Sequence, residues 1–440
     1  MGNEMLALLM IAGFFVLIVT GIPVAISLAV SGFVFGYLGF GIGLFNLVPA
    51  RIYGVVTNYT LLALPLFIFM GVMLEKSKLA EDLLDTIGFA MGGLRGGMAL
   101  AIVLVGVLMG ASSGIVGATV VTAGLIALRP IIARGYDHGV ACGVICASGT
   151  LGQIIPPSLV LILLADIMGE SVGTLFAAAL IPGLLLSGLF VAYILLLGII
   201  APSRVPAIPL AERQAVSRVE LWGRLMRVVM PPLALVFAVL GSIIGGVAAP
   251  TEAASMGALG SVLLALFARR LNFEILRDVA RSTLSTSAMV FFILICAQPF
   301  GLAFRGLGGE HLVQDAFQQI PGGIDGQLLF LMALLFVLGF FLEWIEISYI
   351  ALPLFLPIFA SSGIDMVWVA ILVAMNLQTS FLTPPFGWAL FFLKGVAPPE
   401  VTTGDIYRGV LPFIAIQIVG LGLLFAFPEI ATWLPELIGW

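Results

Sequence analysis

The chain has 440 residues, of which 61% are hydrophobic and only 9% charged, and its mean hydropathy is +1.22. A soluble surface needs about 25% charged residues, so a soluble globular protein is excluded and most of the surface must face lipid. The formal net charge of −5 rests on few groups, and no basic stripe points to nucleic acid.

Repeated apolar runs of about 20 residues predict an all-α polytopic membrane protein embedded in a lipid bilayer. In chain order the predicted spans are 4–20, 22–40, 57–75, a broken span at 138–168, 172–200, 226–247, 252–268, 283–304, a second broken span at 367–393, and 409–433. The N-terminus has neither a basic stretch nor a small-residue cleavage site, so it reads as a first span. Two apolar segments, 96–134 and 326–360, are too long for one span and have polar or Gly residues at their centres. That pattern suits a re-entrant helical hairpin, with two tight spans as the alternative. The segment 79–94 is amphipathic and belongs at the membrane interface.

With this arrangement every Lys and Arg except Arg51 and Arg305 collects on one side. The positive-inside rule makes that side cytoplasmic. The 201–225 stretch becomes a cytoplasmic linker, and both termini and 306–326 become periplasmic. Charge sets the orientation of the spans but not the depth of the hairpins.

The two halves match. "SGTLGQIIPPS" (148–158) aligns with "NLQTSFLTPPF" (376–386); Gly110 precedes Pro156 by 46 residues, and Gly339 precedes Pro384 by 45. Each half has two spans, a short amphipathic segment (43–55 or 271–281), a span, a hairpin, a broken helix and a final span. The first repeat is therefore 1–200 and the second 226–440. Five spans in each force opposite orientations. Inverted repeats with paired broken helices are the sign of a secondary transporter.

The breaks carry chemistry. Pro156 and Pro157 supply no N–H, so carbonyls from about Gly149 to Ile155 lose helical donors. Stranded carbonyls in a dry site are costly unless something positive coordinates them, and Na⁺ would do so, as hard cations take oxygen ligands. Thr379, Ser380 and Thr383 add hydroxyl oxygens at the second break. The first hairpin tip offers Ser112, Ser113 and Thr119 beside glycines that permit a tight turn. Half-helix ends there present N–H groups to anions and carbonyls to cations, so a carboxylate substrate and Na⁺ could sit side by side. Packing kinks or hydroxyls that satisfy helix-end carbonyls are the alternatives.

The second hairpin has two acids, Glu343 and Glu346, at i, i+3 if helical. An intramembrane carboxylate is a functional candidate by default, for substrate lining, cation coordination or proton coupling; capping a half-helix is the other role open to these acids. Gln153 and Gln378 could touch substrate or hold interhelical hydrogen bonds. Nothing points to an enzyme: no nucleophile has a His partner, Cys142, Cys146 and Cys296 lack further metal ligands, and no nucleotide-binding domain is present.

The motifs "GIPVAISLAVSG" (21–32), "LPLFIFMGVMLEKS" (64–77), "GASSGIVGAT" (110–119), "GTLGQIIPPS" (149–158), "AALIPGLLL" (178–186), "APTEAASMGALG" (249–260) and "LPLFLPIF" (352–359) occur in this order over nearly the whole chain. In them the chain resembles the large membrane subunit of tripartite ATP-independent periplasmic (TRAP) transporters, of the ion-transporter superfamily. The resemblance implies Na⁺-coupled import of an organic acid across the bacterial inner membrane by an elevator mechanism, with a scaffold and a mobile transport domain. It implies two partners, a periplasmic substrate-binding protein and a small four-helix membrane subunit. No four-helix extension precedes Met1, so that subunit is expected as a separate chain. It places one Na⁺ on Ser112 and Ser113 with backbone at Gly152, Ile155 and Pro157. A second falls on Thr379, Ser380 and Thr383 with backbone near Leu382 and Pro385. Where relatives often carry Asp, this chain has Glu343. A stand-alone transporter of the same superfamily and a channel or membrane scaffold are the competing readings.

Overall fold

The computed structural model describes residues 2–113, 116–209, 212 and 217–440, with the side chains of 111–113 and 218 outside the description. Among the described residues all regular structure is helical. Six helices among these residues are long and apolar enough to cross a bilayer, or up to eight if each bent pair is one span.

The first half runs α1 (Asn3–Val19), α2 (Val24–Phe40), α3 (Gly43–Val56), α4 (Ala63–Lys76), α5 (Leu79–Met91), α6 (Gly97–Ser113), α7 (Val116–Ala133), α8 (His138–Thr150), α9 (Leu159–Met168) and α10 (Val172–Ile200). The second half runs α11 (Arg218–Val228), α12 (Met230–Ile244), α13 (Pro250–Phe267), α14 (Phe273–Gly306), α15 (Gly309–Gln318), α16 (Gly323–Leu338), α17 (Trp344–Ile350), α18 (Leu352–Ser361), α19 (Met366–Leu382), α20 (Trp388–Val396), α21 (Thr403–Ala426) and α22 (Glu429–Leu437).

Both broken spans are present at the expected places. In the first, α8 runs through a 3₁₀ turn at Leu151–Gln153 and the chain resumes as α9; in the second, α19 stops at Leu382 and resumes as α20. Each proline pair removes two amide donors and cannot continue the helix that precedes it. Both segments 96–134 and 326–360 are pairs of helical arms, with α6 and α7 in the first and α16, then α17 and α18 bent by 52°, in the second.

The broken helices form the centre. Every residue of α8 from Gly139 to Thr150 is buried, as is every residue of α19 from Trp368 to Leu382. A helix apolar all round is stable only when surrounded by protein or lipid, and α6, α7, α9, α10, α16, α20 and α21 surround these two. A second group, α2, α3, α4, α13 and α14, packs among itself and exposes large apolar side chains such as Val30, Tyr53, Phe267 and Phe292.

The structure corrects the reading of 271–281 as a separate amphipathic segment. It is the first part of α14, a continuous helix of 34 residues capped by Asn272, whose side chain accepts the Ile275 N–H at 2.7 Å. Its counterpart in the first half stays divided, α3 and the following helix being bent by 53°. The local cause is Asn58, whose side chain accepts the Thr60 N–H at 2.9 Å and turns the chain. The chain around Arg281 makes no such turn and stays helical.

The 201–225 stretch is also more than a tether. Val205 accepts the Gly96 N–H and Ile208 donates to Gly92, both at 2.9 Å, while Arg204 accepts the Asp137 N–H at 3.0 Å. Its start is thus stitched onto the turn between α5 and α6.

Candidate functional site

Among the contacts between each hairpin and its broken helix, one close approach falls in matching register in the two halves. A Cβ built on Gly110 would lie 2.6 Å from the Gly152 Cα, so the two backbones touch. A Cβ built on Gly339 would lie 2.1 Å from the Ser380 hydroxyl oxygen. Gly152 stands four residues before Pro156, and Ser380 four before Pro384. Only glycine permits such approach.

Geometry then dictates which oxygens are free. In an α-helix the amide of residue i serves the carbonyl of i−4, so Pro156 leaves Gly152 and Pro157 leaves Gln153 without that donor. The Gln153 carbonyl takes the Ser158 hydroxyl instead, at 2.7 Å. In the second break the positions so affected are Ser380 and Phe381, and the Ser380 carbonyl takes the Thr383 N–H at 3.2 Å. Thr379, Ser380 and Thr383 donate their hydroxyl protons to the carbonyls of Met375, Leu377 and Thr379 at 2.8–2.9 Å. A hydroxyl that donates its proton to backbone keeps oxygen lone pairs for a cation. Gly152, Ile155 and Pro157 lie in the first break, wholly buried; Leu382 is buried, Thr383 half-buried and Pro385 exposed. The side chains of Ser112 and Ser113 lie outside the described residues.

Between the two breaks sits a polar cluster that sequence reasoning only touched. The Gln378 amide donates to the Thr150 hydroxyl at 3.3 Å, and Gln417 of α21 donates to the same oxygen at 3.4 Å. The Gln378 and Gln417 carbonyl oxygens and both polar atoms of Gln153 are buried without partners among the described residues. Thr150 was overlooked, although it stands in the same register as Gln378; Gln417 was signalled by being a lone amide in an apolar helix.

A cavity of about 360 Å³ opens beside this centre. Its walls are the first turn of α7 (Val116, Gly117, Ala118), the start of α17 (Glu343, Trp344, Ile345), Phe381, Phe392 and Leu159, and Thr286, Met289 and Val290 of α14. Both hairpins thus contribute to one cavity. Glu343 faces it. Glu346, Gln153 and Gln378 do not line it: Glu346 is buried and turns back to accept the Glu343 N–H at 2.9 Å, capping α17. The α14 lining residues carried no sequence signal, since Met289 and Val290 are apolar and Thr286 is one of several hydroxyl residues in that stretch.

A further link joins the two helix groups. Asp166 of α9 accepts the Tyr349 hydroxyl of α17 at 2.7 Å and an N–H of the Asn58 amide at the α3–α4 bend.

These features define a transport membrane protein with two hairpins, two broken helices and a cavity between them. The family described as "Tripartite ATP-independent periplasmic transporter, DctM component" matches residues 11–430, and the chain belongs to that family. It is 32% identical over 389 residues, 87% of each chain, to the C4-dicarboxylate TRAP transporter large permease protein DctM of Pseudomonas aeruginosa. It is 29% identical to the ectoine TRAP transporter large permease protein TeaC of Halomonas elongata, covering 98% of this chain and 99% of that one. The sialic acid TRAP transporter permease protein SiaT of Haemophilus influenzae is 28% identical over 95% of this chain and 66% of its own. In fold the chain is similar to the Alcanivorax borkumensis YdaH transporter, with a TM-score of 0.60, 15% identity, and 88% and 89% of the two chains covered. The protein is a multi-pass inner-membrane subunit of this transporter class.

Proposed function

We propose that the chain is the Na⁺-coupled permease subunit of an organic-acid importer, working by an elevator movement. The observation that carries this reading is the matched pair of contacts, Gly110 on Gly152 and Gly339 on Ser380, each placing a hairpin centre on the stretch where prolines strip a helix of donors. Two cation sites of like construction then flank one cavity. Ser112, Ser113, Gly152, Ile155 and Pro157 hold the first ion, and Thr379, Ser380, Leu382, Thr383 and Pro385 the second.

The helices around α8 and α19 form the moving body, and the group containing α2, α4, α13 and α14 the scaffold. The two repeats lie inverted, with both termini periplasmic. A small four-helix subunit covers part of the scaffold, and a periplasmic binding protein delivers the organic acid. Each net positive charge that enters gains about 2.3 kcal/mol per 100 mV. Two such charges at about 150 mV supply roughly 7 kcal/mol, enough for a large substrate gradient.

Proteoliposomes containing the chain and the small subunit, supplied with the binding protein, test this. Uptake should require Na⁺ and both partners. Uptake unchanged when K⁺ replaces Na⁺ at constant pH contradicts the coupling, and uptake without the binding protein contradicts the tripartite arrangement.

A further inference from the structure

One helix of the scaffold group makes a polar contact with the helices around α8 and α19 at each of its ends. At the start of α4, Asn58 donates to Asp166 of α9, which also accepts the Tyr349 hydroxyl at 2.7 Å. At its end, Glu75 accepts the hydroxyl proton of Thr122 of α7 at 3.0 Å. Asn58 and Glu75 stand 17 residues apart. At the helical rise this is about 25 Å, against a hydrocarbon core of about 30 Å. The two contacts therefore lie near opposite faces of the bilayer.

The stretch between them is of another kind. Leu61 to Leu74 reads "LLALPLFIFMGVML" and holds no hydroxyl, amide or charged side chain. The helix is anchored against α13 and α14, and it also packs along α6 of the first hairpin. A body that slides along α4 by one helical turn moves about 5.4 Å, well beyond hydrogen-bond reach. That one displacement opens both contacts, because Asp166 and Thr122 belong to the same body. No side chain between Asn58 and Glu75 except that of Thr60 can offer either a new partner on α4. Both acceptors are carboxylates, and hydrogen bonds to carboxylates are stronger than those between neutral groups. An apolar track with a polar contact at each end thus favours one position along it.

We propose that Asn58 and Glu75 are positioning residues that hold the moving body where this structure places it, and that both contacts open in each transport cycle. This rests on the reading of α4 as scaffold and of the α8–α19 group as the moving body.

The test measures distances between two spin labels in the purified chain with its small subunit in nanodiscs, in Na⁺. The labels sit at Phe267→Cys, at the exposed end of α13, and at Glu400→Cys, on the exposed turn before α21. Cys142, Cys146 and Cys296 are buried. Thr122→Val and Asn58→Ala should each lower the ratio of this conformer to the others by about 10-fold. The double variant should lower it by about 100-fold, which brings out a second distance even where the unaltered protein shows one. Thr122→Ser keeps the donor and Glu75→Gln keeps an acceptor, so both should stay near the unaltered ratio, whereas Glu75→Leu should behave as Thr122→Val does. All variants should elute as monodisperse protein. A second distance with the same share in every variant overturns the proposal and leaves the elevator movement standing. A shift as large in Thr122→Ser as in Thr122→Val assigns the effect to packing and also overturns it. A single distance in every variant, the double one included, contradicts both the proposal and the elevator movement.

Discussion

Gln378 donates a hydrogen bond to Thr150 at 3.3 Å, and each residue stands six positions before the first proline of its own break. The two broken helices therefore touch through equivalent residues, as two copies of one motif do when they meet at a symmetry axis. Gln417 reaches the same hydroxyl. Losing a partner in a buried cluster costs about 1–3 kcal/mol. Thr150→Val should lower the melting temperature, and the effects of Thr150→Val and Gln378→Leu should fall short of additive, because both remove one shared contact. A double-mutant cycle on thermal unfolding checks this.

The hairpin contacts leave no room for a side chain. Gly152→Val pushes a branched group into the Gly110 backbone, and Gly339→Val does so into Ser380. Overpacking costs about 1–3 kcal/mol, and the displaced tip should lose its ion. Each variant should insert into the membrane and lose Na⁺-dependent thermal stabilisation at its own site. Ser380→Ala keeps the space and removes the hydroxyl, so it should raise the half-saturating Na⁺ concentration without abolishing expression. Titrating the melting temperature against Na⁺ separates the two cases.

Asp166 ties α9 to α17 and to the bend before α4. Hydrogen bonds to a charged group contribute about 1.5–3 kcal/mol. Asn58→Ala and Tyr349→Phe should each destabilise the protein, and both effects should vanish when Asp166 is already Ala. If the two helix groups slide past one another, the Asn58 bond must open in each cycle. Asn58→Ala should then alter the transport rate more than the half-saturating substrate concentration, which uptake kinetics would show.

On the side assigned as cytoplasmic, Arg204 pairs with Asp137 at 3.0 Å. Burial disfavours the charged form of Asp137, but the Arg204 hydrogen bond, the N–H groups of Val140 and Gly139 and the guanidinium charge outweigh it and hold this carboxyl below its ordinary value. A carboxyl depressed in the fold contributes stability above its ordinary value of about 4 and loses it as pH falls through the folded value. Both side chains are partly exposed, so the pair contributes about 0.2–1 kcal/mol. The hydrogen-exchange protection of the Arg204–Ile208 stretch, taken against the intrinsic rate at each pH, should fall below pH about 4, and in Asp137→Ala should be low already at neutral pH.

Much of this architecture could be read from the sequence because it rests on residues with one backbone meaning. Pro156–Pro157 and Pro384–Pro385 stop helices in any context, and their nearly equal spacing from Gly110 and Gly339, 46 and 45 residues, exposed the repeat. The contact partners of those glycines, Gly152 and Ser380, follow from the same register. Other features depended on three-dimensional neighbours. The continuity of α14 against the bend at Asn58 turns on one Asx turn present in one half alone. The roles of the two acids separated only when the fold showed Glu346 capping α17 while Glu343 faces the cavity. Thr150 and Asp166 carry no local signature; a Thr or an Asp near an apolar run shows its partners only when the helices are packed.

The central claim is that ions bound at the two breaks drive substrate movement. Simultaneous measurement of ²²Na⁺ and radiolabelled substrate entry into proteoliposomes holding the complete three-part system tests it most directly. The account predicts saturable co-entry in a fixed ratio, lost for both species in Gly152→Val. Substrate entry with no accompanying Na⁺, or Na⁺ entry in no fixed proportion to substrate, would contradict it.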